Sequence, residues 1–303
     1  MVESAIVVKD LTKSYGDFPA VKGVSFEVLS GEIFSLLGAN GAGKTTTLEI
    51  LEGHRKRTSG HVTVLGYDPE KKDQNMTMRV GIVLQETGIE PYLKVQEVLK
   101  QFSGFYKNPR NINEVIDATG LKEQINTPVR KLSGGQRRRV DVALGLIGDP
   151  DLIFLDEPTT GFDPSARRDA WSMISNLKSL GKTVILTTHY MDEAEYLSDR
   201  IALMVSGKIE RIGTTRELIN SESNTTIEFT LPDNNKSLPV TINKIAEIKG
   251  NLVSIITNSP TGILGEITHW AIENSLELND LTVRRSSLED LFLKVVGSED
   301  SDI

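Results

Sequence analysis

A glycine-rich string at residues 38–45 is the part of this sequence best suited to chemistry. It has the spacing G-x-x-x-x-G-K-[ST], at which backbone N–H groups can turn inward around phosphate oxygens. Lys44 supplies a point charge for the terminal phosphates, and the hydroxyl of Thr45 is a ligand for Mg²⁺. The string therefore predicts a loop that binds ATP. The residues expected to contact the nucleotide are Gly38, Ala39, Asn40, Gly41, Ala42, Gly43, Lys44, Thr45 and Thr46.

A second chemical pattern lies at residues 152–157, where four apolar residues lead into Asp156 and Glu157. An aspartate at the end of such a strand holds Mg²⁺ through the hydration shell of the metal. The adjacent glutamate can polarise the attacking water as a general base. Taken alone, the pattern also fits a strand that runs into a surface turn. With a phosphate loop in the same chain, we predict Asp156 as a metal residue and Glu157 as the catalytic base.

A third pattern consists of Ser133, Gly134, Gly135 and Gln136, which come just before a helical stretch at residues 137–147. A serine and two glycines at a helix N-terminus leave N–H groups free for an anion, although an ordinary helix cap would read the same way. The chain would then carry two phosphate-binding helix ends but one phosphate loop. A symmetric dimer resolves this, with each ATP between the loop of one subunit and the Ser-Gly-Gly of the other.

The elements that must position these groups alternate between strands and helices. Strands are predicted from short apolar runs at residues 33–37, 80–84, 152–155 and 184–187. Helices are predicted at residues 44–51, directly after the phosphate loop, and at 95–106 and 111–119, between Gln85 and Ser133. This alternation is typical of an α/β fold with a largely parallel sheet. We predict a main domain at 1–220 with a helical insertion at about 86–148.

A polar cluster at residues 220–225 interrupts the pattern and reads as a linker. Beyond it, Ile227, Phe229 and Leu231 alternate as in a half-buried strand, and runs at 252–256 and 281–283 indicate two more strands. Helices are predicted at 262–274 and 287–296, the second capped by Ser287 with Asp290 as its partner. These elements predict a small C-terminal α+β domain at 221–303.

Composition limits the possible functions. The chain has 303 residues, 38% of them apolar, which is enough for two packed domains. It has no cysteine, and its four histidines lack zinc-ligand spacing, so any metal needs oxygen ligands. A net charge of −8 disfavours a nucleic-acid partner. The N-terminus shows no signal-peptide pattern and no run of about 18 apolar residues occurs, so we expect a cytoplasmic chain that does not span the membrane.

The sequence Leu-Ser-Gly-Gly-Gln at 132–136, followed by Asp-Glu-Pro-Thr at 156–159, resembles the ATP-binding cassette (ABC) family. The resemblance covers residues 6 to about 219. It implies a P-loop NTPase cassette in which a mostly parallel sheet is joined by an antiparallel β part and a helical subdomain. It also implies that Tyr15 stacks on adenine, Gln85 contacts Mg²⁺ and senses the transport partner, Asp163 communicates across the dimer, and His189 contacts the γ-phosphate.

Each of these four implied roles has a plainer alternative. Tyr15 fits a half-buried aromatic, Gln85 a surface amide, Asp163 a helix cap and His189 a solvated loop histidine. Their order relative to the three motifs favours the family roles. The sequence departs from the commonest family pattern at Ala39, where proline is frequent, and at Phe162, where leucine usually precedes the aspartate. Neither change removes a functional atom, but Phe162 puts the packing of the dimer loops in question.

Residues 189–195 and 287–292 resemble the cassettes that serve exporters of drugs, polysaccharides and lipids; residues 287–292 also fit an amphipathic helix that closes the small domain. The resemblance implies a homodimer, or a pair with a second cassette, attached to the cytoplasmic face of the membrane through an integral-membrane permease. The permease would dock near Gln85, with Glu90, Pro91 and Tyr92 as contacts.

A soluble ABC-type ATPase acting on the ribosome or DNA is the alternative, though such relatives usually carry two cassettes or a long coiled coil. A regulator without turnover would lack Glu157 or His189.

Overall fold

The computed structural model of this chain describes residues 3–83, 88–220, 225–231, 238–285 and 287–299. The fold divides into two compact units, Met1–Thr215 and Arg216–Ile303. The sequence placed the boundary at residue 220, the first residue of the polar cluster, of which residues 221–224 lie outside the described part. Composition marks the polar cluster, whereas the division of the fold comes at the start of the short helix Thr215–Asn220.

The first unit contains an antiparallel sheet and a mostly parallel sheet. Its strands are β1 (Ser4–Tyr15), β2 (Phe18–Leu29), β3 (Ile33–Leu37), β4 (Ser59–Val64), β5 (Val80–Val83), β6 (Leu152–Asp156), β7 (Thr183–Thr188), β8 (Arg200–Val205) and β9 (Lys208–Gly213). The antiparallel sheet has the order β2-β1-β4. The other has the order β5-β6-β7-β3-β8-β9, and all its pairs are parallel except β8 with β9. The predicted α/β fold with an added antiparallel part is confirmed.

The central strands of the larger sheet are covered on both faces. Every residue of β3 and β7 is buried, and such strands read as continuous apolar runs. Alternate residues of β6 enter different cores: Leu152 and Phe154 pack toward the antiparallel sheet, and Ile153 and Leu155 pack toward the helices. The four predicted strands are all present, although residue 84, the predicted end of β5, lies outside the described residues.

The helices of the first unit lie between these strands along the chain. They are α1 (Lys44–Leu51), α2 (Gln74–Thr77), α3 (Val95–Ser103), α4 (Ile112–Thr119), α5 (Gly134–Leu146), α6 (Pro164–Ser179) and α7 (Met191–Leu197). Helices α3, α4 and α5 lie between β5 and β6, where the sequence placed a helical insertion. Helix α3 ends before residue 106, with Gly104 as its C-cap. Helix α5 begins at Gly134 rather than at residue 137, because Ser133 is its N-cap.

The second unit is a four-stranded antiparallel sheet with helices. Its elements are α8 (Thr215–Asn220), β10 (Thr225–Thr230), α9 (Val240–Asn243), β11 (Ala246–Lys249), β12 (Leu252–Thr257), α10 (Pro260–Glu273), β13 (Asn279–Arg285) and α11 (Leu288–Glu299). The sheet order is β11-β12-β10-β13. Ile227 and Phe229 are buried with Ile267 of α10, as their alternation predicted. At α11, Ser287 Oγ accepts the Asp290 N–H and Asp290 Oδ2 accepts the Ser287 N–H, which is the predicted capping pair.

Among the residues that the structure describes, no helix combines the length and apolar character needed to cross a lipid bilayer.

Phe154 tests the position of β6 between the two cores, because its side chain is fully buried. Replacing Phe154 with alanine should lower the free energy of unfolding of the first unit by about 3–5 kcal/mol, since a cavity remains in the core. Denaturation followed by Trp171 fluorescence in a Trp270→Phe background measures this change. Phe105→Ala is the control, because that side chain is 70% exposed, and it should shift stability by less than about 0.5 kcal/mol. Equal losses in the two variants would contradict the central position of Phe154.

Candidate functional site

The predicted phosphate loop connects β3 to α1, and its glycines are required by the backbone. Gly41 and Gly43 have φ values of 84° and 98°, which favour glycine. A Cβ on Gly43 would lie 2.6 Å from the Ala20 carbonyl oxygen, and one on Gly38 would lie 2.2 Å from that of Met204. The loop therefore packs directly against neighbouring backbone. Helix α1 begins at Lys44 with no acidic residue in its first turn, so its N-terminal N–H groups face the loop without a competing negative charge.

Lys44 is a buried cation held at this loop. Its Nζ donates to the carbonyl oxygens of Gly38 and Ala39, at 2.9 and 3.0 Å, and lies 3.6 Å from Glu157 Oε1. Burial lowers the pKa of Lys44, while Glu157 and Asp156 act in the opposite direction. The structure therefore fixes the position of the ammonium group beside the predicted catalytic carboxylate.

Asp156 ends β6 beside the phosphate loop. Its Oδ1 accepts hydrogen bonds from the hydroxyls of Thr45, at 3.2 Å, and Thr187. Thr187 lies opposite Asp156 in the register of β6 and β7. The sequence analysis missed this residue, whose signal was its place at the end of a strand next to β6. Hydroxyl and carboxylate oxygens form a donor set that suits Mg²⁺.

Glu157 lies between two basic side chains. Its Oε1 is 3.6 Å from Lys44 Nζ and 3.4 Å from His189 Nδ1, and its Oε2 accepts the Thr160 hydroxyl at 3.0 Å. Within the described part of the chain, His189 Nδ1 is buried and makes no hydrogen bond. Glu157 has a left-handed backbone, with φ of 43°, and its N–H donates to Thr187. The structure brings Lys44, Asp156, Glu157 and His189 together.

The Ser-Gly-Gly motif forms the N-terminus of α5. Ser133 Oγ accepts the Gln136 N–H at 3.2 Å, and Gln136 Oε1 accepts the Ser133 N–H at 3.0 Å. Ser133 is therefore a helix cap, as the plainer alternative predicted. Gly134 and Gly135 line a cavity of about 500 Å³ together with Asp163. The phosphate loop lines another cavity, of about 430 Å³, and no described residue lines both. Within one chain, the phosphate loop and the Ser-Gly-Gly motif thus line different cavities, and a third cavity, of about 280 Å³, is lined by both Gly134 and Glu157.

Tyr15 lines the phosphate-loop cavity, and its stacking on adenine stays a prediction. It pairs with Phe18 across the turn from β1 to β2, and both side chains line the cavity. Tyr15 is 40% exposed and Phe18 is 64% exposed. The cationic groups of Lys13 and Arg55 lie 5.0 and 5.2 Å from the centre of the Tyr15 ring. The sequence analysis missed Phe18, although an aromatic residue just after the Tyr15 turn was a signal for it.

Two further predicted residues have different outcomes. Asp163 caps α6, because its Oδ1 accepts the N–H groups of Ser165 and Ala166, both at 2.9 Å. These hydrogen bonds lower the pKa of Asp163. Its role across a dimer stays a prediction, and its place in the cavity beside Gly134 is compatible with it. Gln85 lies outside the described residues, and so does any contact it makes with a metal.

Two buried polar residues contact the segment that follows β6, and the sequence analysis did not predict either of them. Glu193 of α7 is fully buried; its Oε1 accepts the Thr159 hydroxyl at 2.7 Å and the Trp171 indole N–H at 3.0 Å. Burial raises the pKa of Glu193. Arg138 of α5 is also buried, and burial lowers its pKa while the nearby carboxyl groups oppose that change. Both residues hold the segment that follows β6.

Two family models match the chain. The model for "ABC transporter" matches residues 21–160, and the model for "ABC transporter domain-containing protein-like, C-terminal domain" matches residues 225–287. The Nod factor export ATP-binding protein I of Cupriavidus metallidurans is 35% identical, over 97% of this chain and 98% of that protein. The chain belongs to the ABC transporter family. Cassettes of this family hydrolyse ATP, and this chain is accordingly an ATP-binding subunit with ATPase activity.

Other relatives of this ABC cassette also match along nearly the whole chain. The linearmycin resistance ATP-binding protein LnrL of Bacillus subtilis is 33% identical, over 95% of this chain and 97% of that protein. The daunorubicin resistance ATP-binding protein DrrA3 of Streptomyces coeruleorubidus is 31% identical, over 99% of this chain and 98% of that protein. The alignments therefore include the second unit as well as the cassette.

Solved structures agree on the fold of the cassette. The structure of cbiO1 from Clostridium perfringens, part of the ABC transporter complex cbiONQ, has a TM-score of 0.65 at 26% identity and covers 72% of this chain and 94% of that chain. The dimeric structure of MJ0796, a bacterial ABC transporter cassette, has a TM-score of 0.61 at 28% identity and covers 69% of this chain and 98% of that chain. The structural similarity thus covers about seven-tenths of the chain.

Glu52, at the C-cap of α1, gives this ABC cassette a pH-dependent stability. Burial first, and then repulsion by Asp156 and Glu49, raises the pKa of Glu52 to about 8. Because the folded-state pKa is the higher one, the neutral carboxyl stabilises the fold below about pH 4.5, and this contribution is lost as the pH rises toward 8. Glu52→Gln stays neutral. Without nucleotide and Mg²⁺, it should match the parent near pH 4.5 and exceed its stability above pH 8 by on the order of 2–4 kcal/mol.

Denaturation curves at closely spaced pH values measure this difference. Glu210→Gln is the control, because it removes the same charge from an exposed position on β9, and its stability should follow that of the parent. A Glu52→Gln profile parallel to the parental profile would contradict the raised pKa.

Proposed function

We propose that this cassette is the ATPase subunit of an exporter and that it powers a separate integral-membrane permease. One observation carries the catalytic part of the proposal: Lys44 and His189 approach the same oxygen of Glu157, next to the pair formed by Thr45 and Asp156. A base, a cation and a metal-binding pair at one point are what phosphoryl transfer to water requires.

The chain's own groups supply the ATP site. The N–H groups of the phosphate loop and of the α1 N-terminus face the phosphates, and Lys44 adds positive charge. Tyr15 and Phe18 offer aromatic surface for the base at the rim of the same cavity. In this proposal, residues from Gly38 to Thr46 bind and orient ATP, which is the role that the sequence analysis gave them.

Thr45 and Asp156 fit Mg²⁺ by the chemistry of their oxygens, and Gln85 is the further ligand that the family resemblance implies. When bound, the ion supplies positive charge against the β- and γ-phosphates. Glu157 is oriented by its contacts with Thr160 and Lys44, and it accepts a proton from the attacking water. His189, whose Nδ1 is free of hydrogen bonds within the described structure, contacts the γ-phosphate.

Two copies of the cassette complete the site. The Ser-Gly-Gly motif and the phosphate loop line separate cavities of one chain, so the exposed N-terminus of α5 serves the nucleotide of the other copy. Ser133 Oγ accepts the Gln136 N–H, which leaves its hydroxyl hydrogen available to a phosphate oxygen. The dimeric structure of a related cassette supports the formation of a dimer. A homodimer or a pair with a second cassette satisfies the same geometry.

Relatives favour export over the other cellular roles of ABC proteins. Their names describe ATP-binding proteins of Nod factor export and of antibiotic resistance, and they match this chain nearly end to end. The chain would then lie on the cytoplasmic face of the membrane through its permease. The proposed docking surface is the helical insertion around Tyr92, which is 71% exposed and has the Arg130 guanidinium 5.2 Å from its ring centre.

Glu157→Gln tests the assignment of the base. Turnover of ATP should fall about 10²- to 10⁴-fold, the usual contribution of general-base catalysis, while ATP binding is retained. With ATP and Mg²⁺ present, light scattering should show the variant at twice the 33.4 kDa mass of the chain, because a dimer that does not hydrolyse ATP stays closed. Glu210→Gln makes the same charge change at an exposed position and should keep parental turnover. Parental turnover by Glu157→Gln would show that another group is the base.

A pull-down tests the exporter proposal. Tagged Glu157→Gln protein would be recovered from detergent-solubilised membranes of its native source with ATP and Mg²⁺, and from a matched sample without nucleotide. A stoichiometric multi-span membrane protein is the expected partner. Recovery of ribosomal or nucleic-acid-bound proteins only, with the chain absent from membranes, would favour the soluble ABC ATPase instead and leave the ATPase assignment intact.

A further inference from the structure

The backbone of Glu157 needs support from its surroundings. Its φ of 43° lies in the left-handed region, which non-glycine residues adopt only where neighbouring groups hold them. On one side, the Glu157 N–H donates to the hydroxyl and the carbonyl of Thr187, at 3.0 and 3.2 Å. These hydrogen bonds fix the amide group of Glu157. Other contacts must set the path of the backbone after Glu157.

Arg138 holds the chain on both sides of Glu157. Its Nε donates to the Pro158 carbonyl oxygen and its Nη2 donates to the Asp156 carbonyl oxygen, both at 3.2 Å. A planar guanidinium presents its donors in a fixed arrangement, so the two carbonyl groups are held at a set separation. Glu157 is the residue between them. The direction of its carboxylate therefore depends on how Arg138 holds the backbone on either side.

Three consecutive arginines on α5 have different surroundings. Arg137 is exposed. Arg139 is partly buried and donates to the Gly120 carbonyl and to Asp169, on the side of α4 and α6. Arg138 is 6% exposed. Removing a charged guanidinium from water is costly unless its donors have partners. Two of the Arg138 donors have the carbonyl oxygens of Asp156 and Pro158 as partners, and the carboxyl groups of Asp141, Asp156 and Glu193 favour its charged form.

We propose that Arg138 is a positioning residue that sets the orientation of the Glu157 carboxylate and connects it to α5, the helix capped by Ser133. The proposal deepens the proposed function and rests on it, because Arg138 acts through the base. Helix α5 carries the Ser-Gly-Gly motif at its N-terminus and Arg138 within its second turn. A displacement of α5 on nucleotide binding at that motif is thereby transmitted to the carboxylate that serves the other nucleotide.

Substitution of Arg138 separates positioning from binding. Arg138→Met keeps much of the volume but has no donor, and it should lower kcat about 30- to 100-fold, the scale expected when a catalytic group is misplaced by about 1 Å. The KM for ATP should stay within about threefold, since the two hydrogen bonds described for Arg138 go to the backbone around Glu157 and not to the phosphate loop. Arg138→Lys retains one charged donor group and should recover part of the loss. Arg168→Met is the control, because it removes the same charge from an exposed position on α6, and it should keep the parental kcat.

A double variant distinguishes positioning from a general structural effect. If Arg138 acts through the base, Arg138→Met should slow turnover less than about threefold in a Glu157→Gln background, because groups that act as a unit are not additive. Single-turnover assays with radiolabelled ATP over hours give the residual rates, and thermal melts check that each variant is folded. The same fold loss in both backgrounds, or a parental kcat for Arg138→Met, would overturn the proposal. No ATPase activity in the parental chain would instead refute the proposed function.

Discussion

Parallel pairing of three neighbouring strands sets the distances between the chemical groups of the site. Leu37 of β3 lies beside Thr188 of β7, and Asp156 of β6 lies beside Thr187 of the same strand. The three strands therefore end at one edge of the sheet, where the phosphate loop, the acidic pair and the segment of His189 begin. Ladders of backbone hydrogen bonds fix this spacing, and side chains refine it. The site is consequently as rigid as the buried strands that carry it.

Negative charge at this edge of the sheet is limited in two ways: burial favours the neutral form of some carboxyl groups, and buried cations lie near others. Four carboxyl groups are concerned, those of Asp156, Glu157, Glu52 and Glu193; Asp156 repels Glu52, and Asp156 and Glu193 both act on Arg138. Burial raises the pKa of Glu52 and of Glu193 and so favours their neutral forms. The remaining two carboxylates are accompanied by Lys44 and Arg138, which are themselves buried cations. An environment of this kind gives each charge a stronger effect than it would have in water.

Sequence alone predicted those parts of this cassette that depend on the pattern of neighbouring residues in the chain. The runs that became β3, β6 and β7 are apolar because both faces of the sheet are covered, and the phosphate loop needs glycine for its positive φ values. The start of α5 was placed too late, because Ser133 and Gln136 form a reciprocal cap that draws the glycines into the helix. Thr187, Glu193 and Arg138 were missed because their roles come from contacts between residues far apart in the chain. A threonine, a glutamate and an arginine carry no local signal of such partners.

Two of the phosphate-loop glycines have a second reason to be glycine. A side chain at Gly38 or Gly43 would collide with backbone carbonyls of β8 and β2, whatever the loop binds. A descendant of this protein that no longer hydrolysed ATP would still need both glycines in order to fold. Its catalytic function would no longer require Lys44 and Glu157. In divergent copies of such cassettes, retention of the two glycines therefore indicates that the fold is kept. Retention of Lys44 and Glu157 indicates that ATPase activity is kept.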